Sequence, residues 1–147
     1  RDETLAAAAA EGRTRVVEVA WAADPQGRRQ RWAYVWRQAA ATGRVDVLRW
    51  AAARGAPLRD PSLCAFACLG ANADALFWLR RHGCPWDDRA CTYAAGHGHL
   101  ELLKLLRELG CPWSEQTFEH AGSLEVLDYL AKEGCPQPKG APGPGPG

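Results

Sequence analysis

The residues of this 147-residue chain best suited to chemistry are its six cysteines and four histidines. Cys64 and Cys68 stand at i and i+4, on one face if the segment is helical. They suit a soft metal or a redox pair, or simply two small residues filling a core. His97 and His99 with Cys91 or Cys111 make a second conceivable zinc set, but no Cys-x-x-Cys accompanies them, and an H-x-H pair alone is a weak signal. Nucleophilic catalysis lacks its constellation. Ser62, Ser114 and Ser123 stand where helices should begin, and no Gly-x-Ser-x-Gly elbow exists. Gly96-His97-Gly98 lacks the lysine and the preceding strand of a phosphate loop. Arg28, Arg29 and Arg31 run into Trp32, Tyr34 and Trp36, a combination that could bind RNA, another anionic surface or an acidic peptide, or form a solvated helix end. The expectation is therefore no catalytic residue, no cofactor and no metal.

The elements that must position these residues are repeated. Residues 87–113, DDRACTYAAGHGHLELLKLLRELGCPW, align 27 positions back on DPSLCAFACLGANADALFWLRRHGCPW. Residues 32–58 form a further near-copy, and residues 114–137 another that is shortened by three. Self-similarity at a period of 20–50 residues decides architecture before any other motif. The units fall at about 5–26, 27–58, 59–86, 87–113 and 114–136, and residues 137–147 form a Pro/Gly tail expected to be disordered.

Each unit reads as two short helices. Asp60, Asp87 and Ser114 recur at one repeat position as N-caps, with Pro61 just after the first. A first helix follows, ending near Gly70, Gly98 or Gly122. Asn72 and Ser123 can cap the second helix, and Arg44 and His99 hold that place elsewhere. The second helix carries apolar residues at offsets 0, 2, 3, 5 and 6, as in Leu100, Leu102, Leu103, Leu105 and Leu106. That arc is wide, and predicts a helix wedged between two neighbours. Gly55, Gly83, Gly110 and Gly134 close the units at C′, and a proline follows two residues later. Residues 26–31 are an insertion that should extend the next first helix, and the last unit should have a short one.

This register resembles the ankyrin repeat. Residues 94–111, AAGHGHLELLKLLRELGC, are similar to that family's AAxxGHLEIVxLLLxxGA core. The resemblance covers residues 32–136 well and residues 5–26 loosely. The family's Thr-Pro-Leu-His opening is absent, with Arg89, Ala90, Cys91 and Thr92 in its place. The period is about six residues short of the family's roughly 33, which implies hairpin fingers reduced to a Cys-Pro-Trp turn. The resemblance also implies recognition on the first-helix surface, where Arg59, Arg89, Thr92 and Glu119 vary in character between copies. Trp86 and Trp113, equivalent at the turn tips, are either partner anchors or packing that replaces the finger.

Composition narrows the class further. Residues 1–58 carry ten Arg against six acids (+4), and residues 59–147 carry eight bases against eleven acids (−3), which sum to the net charge of +1. This is a mild gradient without the clustered basic face of a nucleic-acid binder. No apolar run approaches the ~18 residues of a membrane span. The absence of any Met predicts a segment of a longer protein. Cys84, Cys111 and Cys135 are one repeat position, and Cys64 and Cys91 another. Equivalent positions lie about 10 Å apart across stacked helices, beyond disulfide reach. They read as small buried residues of a reducing compartment, cytoplasm or nucleus.

The sequence thus predicts an all-α solenoid of about five ankyrin-like helix pairs. Its expected function is protein–protein interaction, as a scaffold or substrate-recruiting module of a larger protein. The expected partner surface comprises Arg28, Arg29, Arg31, Arg59, Arg89, Thr92, Glu115 and Glu119. RNA or anionic-surface binding through Arg28–Trp36, and a Cys/His metal site, remain as rivals.

Overall fold

The computed structural model describes residues 2–24 and 30–139, and all regular structure among them is α-helical. Ten helices follow one another in pairs: α1 (Asp2–Ala10) with α2 (Thr14–Ala22), α3 (Gln30–Ala41) with α4 (Val45–Ala53), α5 (Pro61–Leu69) with α6 (Ala73–Arg81), α7 (Asp88–Gly96) with α8 (Leu100–Glu108), and α9 (Glu115–Glu119) with α10 (Leu124–Lys132). α3 is three residues longer than the nine-residue norm, and α9 is the short first helix expected in the last unit. Residues 137–139 follow α10 without regular structure, and the remainder of the Pro/Gly tail lies outside the described residues.

Local rules explain where the helices start and stop. The Asp60 carboxylate accepts from the Ser62 N–H at 2.9 Å, and Asp87 from that of Arg89 at 3.0 Å. Ser114 accepts from Gln116 at 3.1 Å, and Thr117 returns a bond to the Ser114 N–H, also 3.1 Å. Each fills an orphan donor of a first turn. At the far end of the second helices, Gly83 and Gly110 adopt φ of +84°, a left-handed turn that suits glycine.

The odd-numbered helices touch one another in chain order, α1 on α3, α3 on α5, α5 on α7 and α7 on α9, and each packs on the even helix that follows it. They form the inner row. The even helices also reach past their own pairs, α4 touching α2 and α6, and α6 touching α3. In α5, Ser62, Leu63, Cys64, Ala65, Ala67 and Cys68 are buried, whereas α8 buries only Leu102, Leu103 and Leu106. The reason is side-chain size. Ala and Cys let inner helices approach closely on two sides, while the larger outer residues lie over the row on one face, leaving Leu100 and Leu105 half-buried.

A ladder of hydrogen bonds joins one pair to the next. Arg44 Nε donates to the Ala10 carbonyl at 2.9 Å, Asn72 Nδ2 to Ala41, and His99 Nε2 to Leu69 at 3.0 Å. In the last pair the Gly122 N–H does the same to Ala95 at 2.9 Å. The acceptors are carbonyls at inner-helix C-termini, which lack partners within their own helix. Asn72 therefore does not cap α6 with its side chain, whereas Ser123 does cap α10.

Cysteine contacts close the turns after α6, α8 and α10, joined after α6 and α8 by tryptophan. The thiols of Cys84, Cys111 and Cys135 face the carbonyls of Asp60, Asp87 and Ser114 at 3.2, 3.7 and 3.5 Å. Arg80 stacks over Trp86 at 4.1 Å while donating to the Cys84 carbonyl, and Arg107 does likewise with Trp113 (3.9 Å) and Cys111. Both tryptophans are half-buried against the core, so they serve packing.

Candidate interaction surface on the inner helices

The position six residues past each N-cap holds Phe66, Tyr93 and His120, spaced 27 apart. Inner-helix periodicity puts them on the same exposed side of the row. Phe66 and Tyr93 meet edge to face at 5.8 Å, and the Arg37 guanidinium lies over Phe66 at 5.7 Å. An aromatic stripe therefore runs along the inner helices, with a cation at its N-terminal end.

Beyond Tyr93 the stripe opens into a groove of about 480 Å³ between α7 and α9. Leu69 and Tyr93 give it an apolar floor, and Arg89, Thr92, His97, Gln116 and His120 bring polar groups to its edge. His97 and His120 face the carbonyls four residues back, Tyr93 and Gln116, through Nδ1 at 3.2 and 2.8 Å. A carbonyl only accepts, so Nδ1 carries the proton and Nε2 of the neutral ring is an acceptor. Apolar floor and polar rim together suit a side chain or short segment of another protein.

Of the eight residues expected to meet a partner, the groove brings together two. Arg89 holds Asp87 through Nη2 at 2.9 Å and Nε at 3.2 Å, and this guanidinium keeps the Asp87 carboxyl below its ordinary range. Thr92 Oγ1 lies 2.9 Å from Thr117 Oγ1 and links α7 to α9 at the groove wall. Glu115 and Glu119 are exposed at the two ends of α9, beside the groove but outside its lining. Arg59 is elsewhere: with Trp78, His82 and Cys84 it lines a smaller pocket against the outer helices, and its guanidinium lies beside Gly83. Arg31 is exposed and pairs with Asp24 at 3.1 Å, while Arg28 and Arg29 lie outside the described residues.

The aromatic residues beside those arginines belong to the core. Trp32 and Trp36 are buried, and Trp21 packs against both, at 5.1 and 5.7 Å, and against Trp50 at 6.2 Å. Only Tyr34 among them offers an exposed ring for a base to stack on. The cysteines are all free and buried, and no three His, Cys, Asp or Glu side chains among the described residues are grouped to share a metal. No helix among the described residues is long and apolar enough to cross a membrane.

Tyr93 and His120 stand in no charged or metal-ligand pattern of the sequence, where His97 figured only as a conceivable zinc ligand. The signal was present in the 27-residue spacing of Phe66, Tyr93 and His120. Comparison with protein-family models, with curated proteins and with solved structures gave no match to this chain.

Proposed function

We propose that this chain is an ankyrin-like solenoid that binds another protein across its inner helices, as a scaffold or recruiting module of a larger protein. The observation that carries this reading is the groove between α7 and α9, continuous with the aromatic stripe of Phe66 and Tyr93. Further support comes from the repeated helix pair, the left-handed glycine turns and the side-chain ladder between pairs, all of which suit stacked units. In this reading Tyr93 and Leu69 take up an apolar anchor of the partner. Arg89, Thr92 and the two groove histidines supply its polar contacts, and Glu115 and Glu119 repel acidic groups at the far end. Six free thiols suit a reducing compartment.

The test compares partners captured by the intact protein with those captured by variants. Tyr93→Ala with His120→Ala should lose the bound partner while keeping the melting temperature within a few degrees, because both side chains are at least partly exposed. Glu101→Lys, fully outside the groove on α8, should keep it. Equal capture by all three proteins would place recognition on another face.

A further inference from the structure

Cys64 and Cys84 have their sulfur atoms 3.5 Å apart, although 20 residues separate them in the chain. Cys64 is in the inner helix α5, and Cys84 is in the turn that closes α6. Comparing only repeat-equivalent cysteines misses this pair, because the two occupy different positions of the same unit. A disulfide needs a sulfur separation near 2.05 Å, so an approach of about 1.5 Å would join them, within reach of small side-chain rotations.

The surroundings divide the labour between the two sulfurs. The Cys64 thiol donates to the Cys84 sulfur and holds the Cys84 thiol below its ordinary value, with burial working against this. The same bond, reinforced by burial, pushes the Cys64 thiol up. The Arg80 guanidinium, which donates to the Cys84 carbonyl at 2.9 Å, adds positive charge beside the pair. Cys84 also lines the pocket of about 200 Å³ that it shares with Arg59, Trp78 and His82. A small oxidant can therefore come up to Cys84 although bulk solvent scarcely touches it. Reactive thiols are found in such electropositive, partly accessible settings.

We propose that Cys64 and Cys84 form a redox-active dithiol, which a small hydroperoxide oxidises to an intramolecular disulfide and a thiol reductant restores. Cys84, as the thiolate, attacks one peroxide oxygen. The S–O bond forms as the O–O bond breaks, and the departing oxygen leaves as water with hydrogen peroxide, or as an alcohol with an organic hydroperoxide. The Cys64 sulfur then attacks the Cys84 sulfenic acid. The S–S bond forms, the S–O bond breaks, and the leaving hydroxide takes the Cys64 proton to become water. Two electrons pass from the sulfurs to the peroxide, and both thiol protons end in the products.

The experiment treats the whole chain with stoichiometric hydrogen peroxide, counts thiols in denaturant and maps cross-linked peptides by mass spectrometry. The expected result is loss of two of the six thiols, a mass lower by two hydrogens, a single Cys64–Cys84 link, and full reversal by dithiothreitol. Cys64→Ala should stop the reaction at a sulfenic acid on Cys84 that a dimedone-type reagent traps. Six surviving thiols, over-oxidation to sulfinate without a link, or a link between other cysteines would each overturn the proposal. The mapping of the unaltered protein decides the matter even if the variant does not fold.

Discussion

Ala71 adopts φ of +56° at a place where three of the other pairs hold Gly12, Gly43 and Gly98, at +74°, +74° and +72°. The cause is one residue earlier. A Cβ on Gly70 would lie 1.8 Å from the Ala41 carbonyl oxygen, so the glycine sits where the backbones meet and alanine takes the left-handed turn. Left-handed alanine costs about 1–2 kcal/mol, and a new glycine returns about 0.4–1 kcal/mol of that through unfolded-chain entropy. Ala71→Gly should therefore stabilise by about 0.5–1 kcal/mol in a denaturant melt, and Gly70→Ala should destabilise by about 1–3 kcal/mol. A loss of stability in Ala71→Gly would show that the turn stores no strain. The Asp87–Arg89 pair belongs to the same scale. Asp87 has a depressed pKa, so its contribution is fully present above the ordinary carboxylate range and fades as pH falls through the lowered value. Both side chains are about two-fifths exposed, which limits that contribution to a few tenths of a kcal/mol. Arg89→Gln should move the Asp87 midpoint upward in an NMR-monitored pH titration. An unmoved midpoint would mean that solvent already screens the pair.

At the level of helices, the caps and stop signals were legible because they are short-range. Asp60, Asp87 and Ser114 act within two or three residues of themselves, and the closing glycines act on their own φ. Two things were not legible. The inner helices are rich in Ala and Cys, which carry little apolar contrast, so the strongest hydrophobic stripe pointed to the outer helices instead. The ladder was hidden because Arg44, Asn72 and His99 share no chemistry beyond an N–H, and their acceptors are about 30 residues away. Asn72→Ala should cost about 1–3 kcal/mol by leaving the Ala41 carbonyl without its donor. A melt unchanged by that substitution would mean that water takes over the carbonyl. Leu103 is fully buried, and Leu103→Ala should cost about 2–5 kcal/mol. Leu127, half-buried in α10, should cost visibly less on the same truncation.

For the molecule as a whole, the proposed stack of pairs predicts graded stability. The outermost elements show apolar residues to solvent, Val19 at 67% and Leu124 at 84% exposure, while α5 and α7 have inner-row neighbours on both sides. Amide exchange should be fastest in α1, α2, α9 and α10 and slowest in α5 and α7. Uniform exchange across all ten helices would indicate one cooperative block instead. The surface is legible at this scale only in outline. Arg89 and Thr92 could be chosen from the sequence, but Arg59 and Arg89 separate onto different faces once the turn before α5 is formed. The ladder also has a sense of direction. In each rung the donor belongs to the later pair and the acceptor to the earlier one: Arg44 reaches back to Ala10, Asn72 to Ala41, His99 to Leu69 and Gly122 to Ala95. A chain emerging from the ribosome meets these contacts in that order. Every newly made pair arrives with the group that latches it onto the one already folded, so growth can proceed by addition at one end without reopening what came before.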